Sequence, residues 1–330
     1  MNYDFIAIGD ITIDAFIRLQ EASVHCKVNR QDCEICMRFA DKIPYEDVFV
    51  VPAVGNSPNA AVSAAFLGLK SALVANIGND FFGKQCLQAL KKAKVSKEYV
   101  LVHDKMKTNY HYVLWYEDDR TILVKHQPYP RSLPAIVAPK WIYLSSLGKD
   151  SEEFHKMIGQ YLIQNPEVKL AFQPGTFQMK LGVEKLKDIY QRTEVFIVNK
   201  DEAGRILEKP LDTDIKNLLT GLHQLGPKII VITDGPDGAY ASYGQRAWFM
   251  KAYPDPKPPY ERTGAGDAFS STFVVALTKG KPIEEALRWA PINAMSVVQQ
   301  VGAQAGLLNE EKILEYLKTA PADYHPQVLS

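Results

Sequence analysis

Unbroken apolar runs of strand length, separated by stretches of helical spacing, constrain this chain more than any other feature. The runs lie at residues 3–9, 72–77, 141–144, 170–172, 195–198 and 229–233. A strand with one wet face alternates apolar and polar side chains, whereas a strand covered on both faces is apolar throughout. Residues 59–67, 83–92, 152–163 and 215–225 carry apolar positions at helical intervals. Covered strands alternating with helices predict an α/β fold on a parallel sheet. The last third changes character, with helices expected over 267–278, 283–300 and 310–317. Gly280 and Pro282 punctuate the first junction, and Asn309 supplies an N-cap for the last helix.

Two stretches leave this rhythm. Residues 110–116 and 121–125 are β-rich around the polar turn Glu117-Asp118-Asp119-Arg120, which predicts a hairpin. Residues 10–52 have weak helical periodicity and several β-prone pieces. Together they predict a small β layer beside the main sheet, a lid contributed by about 11–53 and 108–126. Pro254, Pro256, Pro258 and Pro259 make a stiff connector. Residues 1–320 are read as a single domain and 321–330 as a loose tail.

Lys plus Arg and Asp plus Glu each number 38, so the chain has no formal net charge. That removes the general electrostatic case for nucleic acid or an anionic membrane as partner. No apolar run approaches the ~18 residues of a membrane span. The start of the chain contains Asp4 and lacks a basic region, so no signal peptide is expected. These features predict a cytoplasmic protein. The cysteines are too few for a disulfide framework at this length. Cys26, Cys33 and Cys36 have the spacing C-x6-C-x2-C, with His25 adjacent. Zinc takes about four ligands. Two readings follow: a Zn2+ site completed by His25 or a residue from elsewhere, or a lid insertion with reduced thiols. Cys86 is expected in the core.

The stretch with most chemistry is Thr263-Gly264-Ala265-Gly266-Asp267-Ala268-Phe269, small residues leading into an apolar helix. A helix N-terminus carries unpaired N–H groups and partial positive charge, and glycine lets a phosphate approach them. A carboxylate there would repel a phosphate if binding were its only task. Asp267 makes more sense as a general base for an attacking hydroxyl, held ionised by the helix end. The plain alternative is a Gly-rich turn with an Asp cap. No Walker box appears, and no Gly-x-Gly-x-x-Gly follows the first strand, which disfavours a P-loop kinase and a dinucleotide-binding dehydrogenase.

The Gly264-Ala265-Gly266-Asp267 box resembles the anion hole and catalytic base of the ribokinase-like (PfkB) carbohydrate and nucleoside kinases. Other stretches match in family order. Val54-Gly55-Asn56-Ser57-Pro58-Asn59, with Gly68 after it, is similar to the N-terminal Gly-Gly…Asn signature. Gly78-Asn79-Asp80-Phe81-Phe82-Gly83 resembles the Gly-x-Asp-x-x-Gly box. Asn199-Lys200-Asp201-Glu202 resembles Asn-x-x-Glu, and Thr233-Asp234-Gly235-Pro236-Asp237-Gly238 resembles a Gly-rich turn of the family.

The resemblance implies a three-layer α/β/α sandwich with a central, mostly parallel sheet and a small β-sheet lid. It implies transfer of the ATP γ-phosphate to a hydroxymethyl group of a sugar such as ribose or fructose. A nucleoside such as adenosine is the alternative acceptor, and a non-catalytic binding or regulatory protein on this fold is a more distant one. It further implies that Asp267 is the base and that the amides of Gly264, Ala265 and Gly266 form the anion hole. Asp14, Gly55, Asn56 and Asn59 would bind substrate, although Asn59 also reads as a helix cap. Asn199, Thr233, Gly235, Gly238 and Asn293 would lie along the nucleotide, and Glu202 would hold Mg2+ through water. Relatives often dimerise through the lid, so a homodimer is expected.

Departures from the family pattern carry their own expectations. Val54 replaces a family Gly and narrows the substrate pocket. Glu261-Arg262 replaces an Asp-Thr pair whose Asp supports a monovalent cation, leaving activation by K+ in doubt. Gln173-Pro174-Gly175-Thr176 stands in place of Asp-Pro, so contacts there cannot be copied. His111 and His126 flank the hairpin; a structural role is the plain reading, and a substrate contact is the alternative. Trp115 and Tyr112 are expected to pack the lid.

Overall fold

The computed structural model describes residues 2–26, 33–117, 119–210 and 212–329. Asp118 of the expected turn lies outside them. In chain order the strands are β1 (Phe5–Ile8), β2 (Thr12–Leu19), β3 (Ser23–His25), β4 (Glu34–Cys36), β5 (Tyr45–Val54), β6 (Ser71–Gly78), β7 (Val100–His103) and β8 (Asn109–Tyr116). They continue as β9 (Asp119–Leu123), β10 (Trp141–Leu144), β11 (Lys169–Phe172), β12 (Thr193–Asn199), β13 (Ile229–Thr233), β14 (Ala239–Tyr243), β15 (Arg246–Met250) and β16 (Gln327–Val328). The helices are α1 (Asn56–Phe66), α2 (Phe81–Lys92), α3 (Glu152–Gln164), α4 (Thr176–Leu181) and α5 (Lys187–Arg192). After them come α6 (Lys200–Ile206), α7 (Ile215–Gln224), α8 (Ala265–Thr278), α9 (Ile283–Val297) and α10 (Glu310–Lys318).

The main sheet has the order β16-β15-β14-β13-β12-β11-β10-β1-β6-β7. Strands β7 to β13 along that order are parallel, and β14, β15 and β16 add an antiparallel edge. β1 shows why its sequence has no polar alternation. Phe5 and Ala7 face a core shared with α1, α2, α8 and α9, while Ile6 and Ile8 face a second core shared with α3, α5 and α7. Both faces are dry, so the expected parallel α/β sandwich is the fold.

The second sheet has the order β5-β2-β8-β9 and forms the lid. β2 is antiparallel to β5 and parallel to β8, and β8 turns back into β9. The registers Asp14↔His111, Phe16↔Val113↔Ile122 and Arg18↔Trp115↔Arg120 put these side chains on one face. The other face carries Tyr112 and Leu123, paired across β8 and β9 and both exposed. Trp115 is buried against Phe49 and Tyr260, with the Arg18 guanidinium 4.8 Å above its ring. This stack ties the lid to the proline-rich connector that leads into α8.

Several expectations shift. Helix α1 begins at Asn56 rather than at Asn59, with Gly55 as its N-cap, so Asn59 lies inside the first turns and is not a cap. Helix α9 ends at Val297, not at residue 300, because the following turns fold back as Gln299 N–H and Gln300 N–H donate to Ser296 and Val297 carbonyls. The segment read as a loose tail is docked: Tyr324 is buried with its hydroxyl donating to the Arg288 carbonyl at 2.8 Å, and β16 pairs with β15. A β3–β4 hairpin, which was not expected, carries the cysteine cluster. Cys26 and Cys33 are joined as a disulfide, leaving Cys36 as a free thiol. That corrects both earlier readings: the pair is not reduced, and two of the three proposed Zn2+ ligands are consumed. Among the described residues no group of three or more His, Cys, Asp or Glu is placed to hold a metal ion. No helix there is long and apolar enough to cross a membrane.

Candidate active site

The strands β1, β11, β12 and β13 end on the same side of the sheet, where α8 begins. Ligands in open α/β sheets bind outside such carboxyl ends. The chain leaves β1 through Asp10 to enter the lid, so the lid hangs over this edge. Between lid and sheet lies a cleft of about 500 Å3. Asp14, His111 and Arg120 enter it from the lid, and Asn56, Asn59 and Asp267 from the helices. An adjoining recess of about 280 Å3 is lined by Gly235, Pro236, Gly238, Ala265, Pro291 and Met295 among others. The two share Thr233, Arg262 and Gly266, so they meet at the start of α8.

Gly264 caps α8 with φ +85°, a left-handed conformation. A Cβ on it would run into Ala303, so both backbone and packing demand glycine. Gly266 differs, since a Cβ there would meet no neighbour. Its bareness opens the helix start to both cavities instead.

Asp267 stands in the first turn of α8 and is buried. Asn56 Nδ2 donates to its Oδ1 and Asn59 Nδ2 to its Oδ2, each at 2.8 Å. Gln173 Nε2 lies 3.4 Å from Oδ1. Burial pushes the Asp267 carboxyl above the ordinary carboxylate range, opposed by the amides of Asn59, Asn56 and Gln173 and by the Arg120 guanidinium. Burial thus outweighs the influence expected from the helix end. Gln304 Nε2 donates to Asn59 Oδ1 at 2.9 Å and fixes that amide's orientation. A buried carboxylate held this way can accept a proton from a group delivered between lid and helix.

Gly55 approaches the Asp10 backbone, with a left-handed φ of 120°, and lines the cleft beside Asp14. Asn199 and Glu202 also line it, but they bond to each other first. Asn199 Oδ1 accepts the Glu202 N–H at 2.8 Å, and Glu202 Oε2 accepts the Asn199 N–H at 2.9 Å, a reciprocal helix cap. Burial raises the Glu202 carboxyl. Thr233, Gly235 and Gly238 line the recess. Asn293 does not reach either cavity. It is 0% exposed, donates to Thr272 Oγ1 at 2.7 Å and accepts the Leu308 N–H at 2.9 Å. Its nucleotide role is therefore withdrawn; it locks α9 to α8.

Asp10 and Arg120 escaped sequence reasoning, and Gln173 and Glu261, singled out there as departures from the family pattern, take contacts it did not assign. Asp10 is gripped by Arg131 through two bonds of 2.7 and 3.0 Å and accepts the Gly148 N–H at 2.7 Å. Its carboxyl stands at about 2: burial pushes it up, and His126 and Arg131 more than offset that. Gln173 touches the key carboxylate, and Arg120 projects from what read as a solvated turn. Asp10 had a signal in its position at the end of the first strand and Gln173 in standing where the family has Asp-Pro; Arg120 had none. The Glu261 carboxylate is buried and accepts the N–H groups of Thr263 at 2.7 Å and Gly302 at 3.2 Å, bracing the turn into α8.

The profile of the pfkB family carbohydrate kinases matches residues 27–310. The chain belongs to that family. Relatives include the ribokinase of Bacillus subtilis, 27% identical, with 80% of this chain and 87% of that protein aligned. The cytidine kinase of Thermococcus kodakarensis is 28% identical over 75% of this chain and 88% of its own. Among solved structures, Arabidopsis thaliana ribokinase complexed with ribose and ATP superposes with a TM-score of 0.79 at 20% identity, covering 96% of this chain and 99% of that one. This pfkB kinase is thus a ribokinase-like carbohydrate or nucleoside kinase, a phosphotransferase that acts on an alcohol group.

Proposed function

We propose that this kinase transfers the γ-phosphoryl group of ATP to a hydroxymethyl group of a sugar, ribose- or fructose-like, or of a nucleoside. One observation carries the reading: Asp267, clamped by Asn56 and Asn59, faces a cleft closed by the lid at the start of a glycine-lined helix. Asp14, Gly55, Asn56 and Asn59 hold the acceptor, and ATP lies along Asn199, Thr233, Gly235 and Gly238. The acceptor oxygen bonds to the γ-phosphorus as its proton passes to Asp267. The bond from phosphorus to the bridging oxygen breaks, and ADP leaves. Amides of Gly264, Ala265 and Gly266 stabilise charge on the group in flight. The lid keeps water out, which limits hydrolysis of ATP.

Glu202 fits Mg2+ held through water. Its Oε2 is engaged by a backbone amide, and burial raises its carboxyl more than that amide and Arg205 lower it; hard oxygen ligands suit this ion. Bound Mg2+ supplies neutralisation of phosphate charge. The kinase is read as cytoplasmic, where ATP is available. The exposed row of Val48, Val50, Tyr112 and Leu123 on the outer lid face supports a homodimer through the lid. The test is a panel of ribose, fructose, 2-keto-3-deoxygluconate, adenosine and cytidine with ATP and Mg2+. ADP and a phosphorylated acceptor should appear together. ATP consumption with no phosphorylated acceptor would favour a binding or regulatory protein.

A further inference from the structure

Tyr143 sits inside the apolar run of β10 and is 0% exposed. A buried hydroxyl needs a hydrogen-bond partner, and the sheet supplies one. Strand β10 pairs in parallel with β11, placing Tyr143 opposite Ala171, and both belong to the core shared with α1 and α8. Side chains two apart on a strand share a face, which carries Gln173, one residue past the end of β11, to the same side. There Tyr143 Oη donates to Gln173 Oε1 at 2.5 Å, while Gln173 Nε2 lies 3.4 Å from Asp267 Oδ1. The Gln173 backbone is fixed as well, its N–H donating to the Leu144 carbonyl at 2.9 Å. Gln173 lines the cleft and Tyr143 does not, so Tyr143 reaches the site only through its neighbour.

A side-chain amide has two unlike ends, a donor and an acceptor of similar shape. At 3.4 Å the contact with Asp267 is long, so its sign matters more than its strength. An N–H at that place favours the charged carboxylate, and an oxygen there opposes it. A hydroxyl that donates to Oε1 decides the matter, because it leaves Nε2 for Asp267. Burial and then the Asp267 charge raise the Tyr143 hydroxyl well above its ordinary value, against an opposing contact from Ser270, so it stays protonated and able to donate. We propose that Tyr143 is a positioning residue for phosphoryl transfer: its hydroxyl holds the Gln173 amide so that Nε2, and not Oε1, faces the Asp267 carboxylate. This rests on the reading of Asp267 as the base and deepens it. Other charged or titratable groups surround Asp267 in the cleft: Asp14, His111 and Arg120 from the lid, Glu202 from α6, Arg262 from the turn before α8, and Asp10 and His126 at the edge. Helix α1 presents the amides of Asn56 and Asn59. All of these stay in place when Tyr143 or Gln173 is replaced.

Carbon-13 NMR titration of the aspartate carboxyls in the full chain tests this, with the Asp267 signal identified by its loss in Asp267→Asn. Tyr143→Phe removes the O–H and keeps the ring, whose centroid lies 5.5 Å from that of Phe5. In this variant the Asp267 titration should move to higher pH by about one unit, as expected for losing a hydrogen bond to a charged group. On the acid limb kcat should fall about tenfold, the deficit shrinking as pH rises, while the KM for ATP stays unchanged. Gln173→Leu should move the titration in the same direction, and the double variant no further than Gln173→Leu alone, since both act through one contact. An unmoved Asp267 titration in either folded variant overturns the proposal, as do additive displacements in the double variant. Thermal melting shows whether each variant folds. Gln173 is half-buried and faces the cleft, so if Tyr143→Phe does not fold, the Gln173→Leu titration decides by itself. The titration needs no turnover: a displaced Asp267 titration that the kcat profile does not follow would leave the positioning intact and refute Asp267 as the base.

Discussion

As the proposed base, Asp267 meets two demands that conflict: burial, which disfavours its charge, and ionisation, which it needs to accept a proton. Its neighbours reconcile them, since two amide donors favour the charged form while burial opposes it. Replacing it by Asn keeps the shape and removes the basicity. Asp267→Asn should therefore lower kcat by at least ~10²-fold, with little change in the KM for ATP, as steady-state kinetics would show. The pH profile follows from the same carboxyl. Only the ionised form is a base, and its pKa is raised, so kcat should fall on the acid side through a step lying above the ordinary carboxylate range. An acid limb at or below the range of a free aspartate would contradict this environment. Sequence alone exposed Asp267 because glycine and carboxylate sit together in one box. It marked Gln173 only as a departure from the family pattern and missed Arg120, because both are distant from Asp267 in the chain and meet it only through the fold.

At the scale of elements, the turn into α8 and the loop at the end of β1 set the site. Gly264→Ala would place a methyl group in a left-handed backbone and against Ala303. It should destabilise the fold by about 1–3 kcal/mol and cut kcat more than it changes acceptor KM, measured by urea unfolding and by kinetics. The Asp10–Arg131 pair holds the loop after β9 to the end of β1. Its carboxyl is depressed to about 2, so its contribution is present above the unfolded value near 3.8 and is lost as pH falls towards 2. Arg131→Leu leaves Asp10 buried without its main counter-charge and should cost about 3–5 kcal/mol near neutral pH. The gap from wild type should narrow below pH 4 in parallel urea titrations. Strands and helices of the sandwich were legible because burial on both faces writes itself into unbroken apolar runs. Element ends were less so: α1 starts at Asn56 because Gly55 turns the chain there, a backbone property that apolar spacing does not encode. The tail was misread because Tyr324 docks through one aromatic residue in a polar stretch.

For the whole molecule, a sandwich positions the helix start and a separate small β-sheet covers it. The lid is joined to the body by its strand connections and by the Arg18–Trp115–Tyr260 stack, so closure is a property of the complete chain. Its outward apolar row leads us to expect a dimer near 74 kDa, roughly twice the chain mass of 37.0 kDa. Light scattering at micromolar concentration would show this, and a monomer would remove the lid interface. Sequence revealed the lid's existence through its β-rich departures, but its inward face emerged only with the registers that set Asp14 opposite His111. The most direct measurement is a crystal structure of the kinase with a non-hydrolysable ATP analogue and an acceptor. The terminal phosphate should lie within hydrogen-bond reach of the amides at residues 264–266, with the acceptor hydroxyl beside Asp267. A terminal phosphate bound away from the start of α8 would contradict it.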